Sequence, residues 1–263
     1  MNLVDIGVNF HSPQLRGLTP ELLERARAAG VAQVLATGTS LASSRAALEV
    51  AREHEGVWAT AGVHPHGASE LDENCFAGLE ALWRDDRVVA VGECGLDYDR
   101  MFSPAEAQRR AFAVQIEAAV RRGRPLFLHC RDAFADFHAM LRDAAGAGAR
   151  GVAHCFTGGP DEAEALLALG FDLGITGWLT DVARGGALRD ALRVIPLERL
   201  HLETDAPWLR PKNARRTRPY NEPALLPWIA QAAAEILGVT DEALAAQASA
   251  NSRRLFGLPA PVP

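Results

Sequence analysis

The segment VVAVGECGLD, residues 88–97, shows the pattern that decides the fold. Its first part, Val88–Gly92, is a short apolar run, and its second part carries the acidic residues Glu93 and Asp97. An apolar run of this length, without polar alternation, is typical of a parallel strand that is covered on both faces. The segment therefore predicts a buried strand whose carboxyl end presents polar side chains.

The same pattern recurs along the whole chain. Seven other runs predict strands: Leu3–Val8, Val31–Thr37, Val57–Ala61, Pro125–Leu128, Gly151–Ala153, Phe171–Ile175 and Leu200–Leu202. Amphipathic stretches predict helices at Pro20–Gly30, Ser103–Gly123, Asp132–Ala145, Gly159–Gly170, Glu222–Leu237 and Asp241–Phe256. About eight strand–helix units are the number that closes a TIM-type (β/α)8 barrel, an α/β fold. An open doubly wound sheet is the alternative, and the lack of G-x-G-x-x-G after the first strand counts against it.

Length and composition restrict the class of protein. The chain has 263 residues, 48% hydrophobic and 23% charged, which excludes intrinsic disorder, collagen and a disulfide-stapled miniprotein. No linker divides it, so we expect one domain over residues 1–263. With 27 basic and 33 acidic residues the net charge is −6, so any contact with nucleic acid must come from a local patch.

The cysteines and the first residues of the chain indicate the cellular compartment of the protein. Cys75, Cys94, Cys130 and Cys155 form no C-x-x-C pair, and widely spaced thiols suit a reducing compartment. The first residues, MNLVDIGVNF, do not resemble a signal peptide, and no apolar stretch reaches the ~20 residues of a membrane span. We therefore expect a cytoplasmic protein without membrane contact.

Four side chains at the strand ends predict a metal site. Since side chains alternate between the two faces of a strand, Glu93, His129, His154 and Asp205 are expected to point into the barrel, at the face where catalytic residues of this fold lie. Two imidazoles and two carboxylates suit Mg²⁺, Mn²⁺ or Zn²⁺. Such a site can polarise a phosphoryl or carbonyl oxygen and activate water, with Asp205 as a ligand or as the base.

Each of these residues also has a structural interpretation. The histidines could be capped or exposed residues, Glu93 a partner of a helix start, and Asp205 the start of a turn. By the same alternation Glu203 would lie inside the barrel, and the sequence indicates no partner for it.

Further residues could contact an anionic substrate. His64 and His66 could contact phosphate or deliver a proton, or they could simply be exposed loop residues. Arg131 could clamp a phosphate, or it could pair with Asp132 or Asp136.

A basic loop follows Asp205. It carries five cations between positions 210 and 218, namely Arg210, Lys212, Arg215, Arg216 and Arg218. These charges could attract a polyanion, or they could form a solvated loop. Trp208 and Tyr220 flank the loop and could stack on bases, although Trp208 could equally belong to the core or its rim.

Five motifs in order resemble the TatD family of metal-dependent deoxyribonucleases. They are Gly-Val-His-Pro-His at 62–66, Gly-Glu-Cys-Gly-Leu-Asp at 92–97, His-Cys-Arg-Asp at 129–132, His-Cys-Phe-Thr-Gly at 154–158 and Glu-Thr-Asp-Ala-Pro-Trp-Leu at 203–209. The resemblance covers almost the whole chain. It implies a barrel of the metal-dependent hydrolase (amidohydrolase-like) type and 3′→5′ exonuclease activity on single-stranded DNA, with RNA as a further substrate, in DNA repair. It also implies that Glu93, His129 and His154 bind metal and that Asp205 is a ligand or the base.

The first strand departs from many members of that family. Where they have Asp-x-His-x-His, this chain has Asp5-Ile-Gly7-Val-Asn9. Glycine offers no ligand atom and Asn9 is a weak ligand, so we expect one tightly held ion, Mg²⁺ first, and a role for Asn9 near the substrate.

Two other functions remain compatible with the sequence. The same metal site could hydrolyse a small ester, amide or phosphotriester, because fold does not fix function. A barrel that lost its first-strand histidines could also bind nucleic acid without cleaving it. In each case we expect a monomer.

Overall fold

The computed structural model describes residues 2–215 and 218–260. In these residues one sheet contains eight strands in chain order. They are β1 (Leu3–Val8), β2 (Val31–Ala36), β3 (Val57–Ala61), β4 (Val88–Asp97), β5 (Leu126–Arg131), β6 (Gly151–Ala153), β7 (Asp172–Ile175) and β8 (Leu200–Leu202). A parallel bridge between Val8 and Ala206 places the end of β1 beside the residues that follow β8. This order confirms the predicted α/β class, a TIM (β/α)8 barrel.

Nine α-helices lie in the same described residues. They are α1 (Thr19–Ala28), α2 (Leu41–Glu53), α3 (Glu73–Leu82), α4 (Ala105–Arg122), α5 (Phe134–Ala145), α6 (Pro160–Ala168), α7 (Gly186–Leu192), α8 (Leu226–Leu237) and α9 (Asp241–Phe256). Six of them lie in stretches that the sequence predicts as helical, whereas α2, α3 and α7 lie outside those stretches. Side-chain caps define the starts of two of these three, because Ser40 Oγ accepts from Ser43 N and Asp72 Oδ1 accepts from Cys75 N.

The described residues divide into two compact units. The first unit comprises the described parts of 1–35, 155–167 and 172–263, with β1, β7, β8 and most of β2. The second unit comprises 36–154 and 168–171, with β3 to β6 and helices α2 to α5. The expectation of one domain over 1–263 stays a prediction.

Each unit has its own buried strands. In the first unit all six residues of β1 are buried, and in the second unit all ten residues of β4 are buried. Phe127 on β5 is also fully buried. Full burial of a large apolar side chain contributes about 1.5–3 kcal/mol to folding. Burial on both faces explains why these runs lack polar alternation.

The largest boundary error concerns β4. The sequence predicts that this strand ends at Gly92, but the strand continues to Asp97. The added residues include two polar ones, Glu93 and Asp97, which are 5% and 4% exposed. The apolar run ends at the first polar residue, Glu93, but the backbone hydrogen bonds between β4 and β5 continue beyond that residue.

Cys75, Cys94, Cys130 and Cys155 form no disulfide within the described residues, and Cys94 is buried. Within the described ranges, none of the helices combines the length and the apolar character that a membrane span requires. Arg216 of the predicted basic loop lies outside the described residues.

Candidate active site

Glu93 is the central acid of the candidate site, near the carboxyl end of β4. The register between β4 and β5 shifts between Gly92 and Cys94, so Glu93 is an extra residue of β4 opposite β5. Its backbone N–H donates to Gly38 O over 2.7 Å. A little further on, Gly95 has a φ of +145°, and a Cβ there would collide with the carbonyl oxygen of His129. The close approach of the two strands thus fixes the positions of Glu93 and His129.

Three imidazole nitrogens surround one oxygen of this acid. Glu93 Oε1 lies 2.9 Å from His154 Nε2, 3.1 Å from His129 Nδ1 and 3.3 Å from His64 Nε2. The structure therefore brings three of the four predicted ligands together and adds His64. Ligand atoms of Glu93, His129 and His64 all lie within 4.8 Å of one another, a spacing that could hold a metal ion. One carboxylate with several imidazoles is a donor set that suits a divalent cation.

The protonation states of Glu93 and His64 favour binding of a cation, whereas a cation must displace a proton from His129. Burial lowers the pKa of His129, but its hydrogen bonds with Asp97 and Glu93 outweigh burial and raise that pKa. Burial by itself would raise the pKa of Glu93, but His154 and His64 outweigh it and hold that pKa well below its usual range. Burial lowers the pKa of His64 to about 3, against the opposing effect of Glu93. At neutral pH Glu93 is thus a carboxylate and His64 a neutral imidazole, which are the forms that bind metals.

Asp97, the last residue of β4, is a second acid of the site, which the predicted set does not include. Its Oδ2 lies 2.9 Å from His66 Nε2 and 3.2 Å from His129 Nε2. Burial would raise the pKa of Asp97, but hydrogen bonds led by that of His129 hold it well below its usual range. The alternation that selects Glu93 also selects Asp97, which lies four residues further along the strand.

His66 stands in the short 3-10 helix Pro65–Glu70 and is a third exposed. Its carbonyl oxygen accepts from Ser103 Oγ over 2.9 Å, and its ring lies edge-on to Phe102, with 4.8 Å between centroids. These contacts hold the loop beside Asp97. The predicted role of His66 and His64 at the substrate stays a prediction.

Arg131 ends β5, two residues beyond His129. Its Nε lies 3.9 Å from Asp132 Oδ2, and its side chain is 41% exposed. The pairing with Asp132 anticipated from the sequence is therefore present as a long ion pair, whereas its contact with phosphate stays a prediction.

Asp205 lies in the first unit, after β8, with Asn9 as a neighbour. Asn9 Nδ2 donates to Asp205 Oδ1 over 3.0 Å and to Ala206 O over 3.3 Å. Asn9 is only 2% exposed. Asp205 has a φ of +51°, an uncommon value for a residue with a side chain. Asn9 thus holds the Asp205 carboxylate in place, and its predicted role at the substrate stays a prediction.

A buried acid on β1 supports the same turn. Asp5 accepts from Thr204 Oγ1 over 2.6 Å and from Thr204 N over 2.9 Å. Burial raises the pKa of Asp5 to about 7, although the hydrogen bonds with Thr204 act in the opposite direction. The sequence gives no sign of this pairing, because the partners are 199 residues apart.

Glu203 also has a partner that the sequence does not indicate. The residue is fully buried, and its Oε1 accepts a short hydrogen bond from the backbone N–H of Cys155. Glu203 therefore fixes the backbone that follows β6.

Comparisons with known proteins identify the family of the chain. A family model described as TatD related DNase matches residues 4–257. A protein from Erwinia amylovora named 3′-5′ ssDNA/RNA exonuclease TatD is 46% identical over 259 residues, which are 97% of this chain and 100% of that protein.

Two solved structures are similar over almost the whole chain. YjjV, a TatD homologue from Escherichia coli K12, has a TM-score of 0.90 at 27% identity and covers 98% of both chains. A hydrolase TatD family protein from Entamoeba histolytica has a TM-score of 0.87 at 27% identity, over 97% of this chain and 98% of that one.

Proposed function

The chain belongs to the TatD-related DNase family, and we propose on that premise that it is a metal-dependent exonuclease. It hydrolyses phosphodiester bonds of single-stranded DNA from the 3′ end, takes RNA as a further substrate, and serves in DNA repair or degradation. The observation that carries the proposal is the convergence of three imidazole nitrogens within 3.3 Å of Glu93 Oε1.

The donor set supports the metal ligands that we propose. Glu93, His129 and His154 bind the ion, and Asp205 is a further ligand or the general base. A bound divalent cation supplies Lewis acidity, polarises a phosphoryl oxygen and activates water. We propose Mg²⁺ as the physiological ion, with Mn²⁺ or Zn²⁺ able to use the same site. Because imidazole favours the later metals, Mn²⁺ is expected to bind more tightly than Mg²⁺.

The chain's own groups have distinct parts in the reaction. The Asp205 carboxylate, oriented by Asn9, accepts the proton of the attacking water. Arg131 contacts the phosphate and balances its charge as the bond breaks, and His66 contacts the same phosphate. His64 remains neutral because of its low pKa, so it contributes a hydrogen bond and no charge.

The first strand supports one tightly held ion. Gly7 has no side chain that could bind a metal, and its backbone N–H donates to Asp5 Oδ1 over 3.2 Å. Asn9 uses its amide N–H groups on Asp205 and Ala206. Neither residue replaces the histidines that many relatives of this family carry on this strand.

A matrix of metals and end-labelled substrates tests the proposed function. With Mg²⁺ or Mn²⁺, a 5′-labelled single strand of DNA should shorten stepwise from its 3′ end, and EDTA should stop the reaction. Duplex DNA, RNA and a panel of small esters complete the matrix. Turnover of small esters without cleavage of oligonucleotides would identify a different hydrolase. Binding without cleavage under every metal would identify a non-catalytic barrel.

The basic loop after Asp205 is expected to contribute to binding of the single strand. Arg218 pairs with Glu222 at 3.2 Å, whereas Lys212 and Arg215 are exposed. Replacing both exposed residues with glutamine should reduce the slope of log Kd against log salt by about 1.4, or about 0.7 for each lost phosphate contact. Fluorescence anisotropy with EDTA present measures the slope. The double variant Arg142→Gln with Arg193→Gln is the control, because it removes the same number of positive charges outside the loop. A slope equal to that of the wild type would remove the loop from the binding surface.

We also propose that the protein is a cytoplasmic monomer with one domain over 1–263. The match of the family model to residues 4–257 supports the single domain, and thiols that form no disulfide within the described residues suit a reducing compartment.

A further inference from the structure

Asp97 is held both at its backbone and at one oxygen of its carboxylate. Its Oδ1 accepts from the backbone N–H groups of Asp99 and Arg100, each over 3.1 Å. The fully buried Gln108 on α4 accepts from Asp97 N over 2.8 Å and donates to Asp97 O over 2.9 Å. These contacts leave Oδ2 as the oxygen that faces the site.

Two imidazole rings present Nε2 to this oxygen, His66 at 2.9 Å and His129 at 3.2 Å. Since an ionised carboxylate only accepts hydrogen bonds, each of these nitrogens must carry its proton. His129 Nδ1 likewise faces an ionised carboxylate, since it lies 3.1 Å from Glu93 Oε1. A cation that binds this nitrogen therefore displaces its proton, and the proton on Nε2 is the one that the ring keeps.

We propose that Asp97 is a positioning residue for the metal centre, which keeps the ring proton of His129 on Nε2 so that Nδ1 can bind the divalent cation. The inference rests on the proposed function, which assigns His129 as a ligand. Histidine ligands commonly donate their second ring N–H to a carboxylate that fixes the tautomer and the orientation of the ring. Here that carboxylate is itself fixed by α4 and by the loop that follows β4.

A second ion at His64, His66 and Asp97 is the alternative, because their ligand atoms also lie within 4.8 Å of one another. Two contacts favour the positioning role. His64 Nδ1 already accepts from His66 N over 3.1 Å, so its remaining ring nitrogen is Nε2, which lies 3.3 Å from Glu93. Asp97 Oδ2 is already the acceptor of the His129 ring.

The variant Asp97→Asn tests the tautomer directly. The backbone N–H groups of Asp99 and Arg100 require an acceptor, so they retain the amide oxygen and turn the NH₂ group toward His129 Nε2. An N–H donor at that position favours a lone pair on Nε2 and moves the ring proton to Nδ1, where it blocks the cation. The variant should therefore bind the metal more weakly although no ligand has been replaced.

Calorimetry with Mn²⁺ on the full chain without nucleic acid measures the effect. The Kd of Asp97→Asn should rise about 10- to 100-fold, with one ion bound before and after the substitution. Asp136→Asn is the matched control, since it also neutralises an aspartate of the second unit, one that accepts from Tyr98 OH over 2.7 Å. Two bound ions in the wild type and one in Asp97→Asn, with the remaining affinity unchanged, would overturn the inference in favour of the second ion. An unchanged Kd with unchanged stoichiometry would also overturn it.

A second measurement needs no variant. In the Zn²⁺-loaded wild type, nitrogen-15 NMR of the histidine rings should find the His129 proton on Nε2, and a proton on Nδ1 would contradict the inference. Neither measurement uses nuclease activity. The results can therefore refute the role of Asp97 without refuting the proposed exonuclease function, and the reverse. A wild type that cleaves DNA while Asp97→Asn binds Mn²⁺ normally would refute only the role of Asp97. A wild type that binds Mn²⁺ through His129 Nδ1 but cleaves nothing would refute only the nuclease.

Discussion

Replacing Glu93 with glutamine is expected to lower kcat/KM on single-stranded DNA by at least about 1000-fold, because it removes a metal ligand and its charge together. The side chain keeps its size, but the neutral amide no longer offers a carboxylate to the three surrounding imidazoles, the nearest of which is His154 at 2.9 Å. Excess Mn²⁺ should not restore the rate fully, since an amide oxygen is a poorer ligand than a carboxylate. Initial rates on a 5′-labelled oligonucleotide and calorimetry with Mn²⁺ measure the two effects.

Glu106→Gln is the matched control for this prediction. Glu106 lies on α4 in the same unit, and its exposed side chain pairs with Arg110 four residues later. Its loss should change neither activity nor metal binding, because an exposed pair of this kind contributes less than about 1 kcal/mol. If Glu93→Gln folded and cleaved DNA at the rate of the wild type, the metal centre proposed here would be wrong.

Most strands can be predicted from the sequence, because strands that are buried on both faces consist of continuous apolar runs. β1, β3, β6 and β8 begin and end where the apolar runs do. β4 shows the limit of this approach, since its last five residues include Glu93 and Asp97. At the carboxyl end of a barrel strand a polar side chain can be buried for function, so polarity does not mark the end of the ladder.

The sequence analysis does not predict the helices α2, α3 and α7, for different physical reasons. α2 and α3 have recognisable capping residues, Ser40 and Asp72, which could have located them. α7 is only seven residues long and its cap makes no side-chain hydrogen bond, so it leaves little local signal. Its position depends on tertiary packing more than on its own sequence.

The candidate site was predictable in part for a similar reason. Alternation of side chains along β4 and β5 predicts that Glu93 and His129 point into the barrel. The same alternation predicts this for Asp97 once β4 is extended to its observed end. The neutral state of His64 could not be predicted, because it depends on burial among residues distant in the sequence. The pairing of Asp5 with Thr204 is likewise invisible until β1 and the end of β8 lie side by side.

Replacing Asp205 with asparagine is expected to lower kcat by about 100- to 10,000-fold, the range that a general base contributes. The amide retains the size of the carboxylate and can still accept from Asn9, which lies 3.0 Å away in the wild type. It cannot take up the proton of a water molecule, so the loss should appear in kcat more than in KM. Single-turnover rates on a labelled strand measure it.

Binding of Mn²⁺ by the variants shows whether Asp205 acts as the general base or as a metal ligand. If Asp205 is the base, Asp205→Asn should bind Mn²⁺ nearly as tightly as the wild type, whereas a weaker Kd of the size seen for Glu93→Gln would identify a ligand. Asn9→Ala should cause a smaller loss of kcat, since it only frees the carboxylate to rotate away from its productive orientation. Asp190→Asn, an exposed aspartate of α7 that pairs with Arg193, should behave as the wild type. Full activity in Asp205→Asn would remove this residue from the chemistry and require another acceptor for the proton of the attacking water.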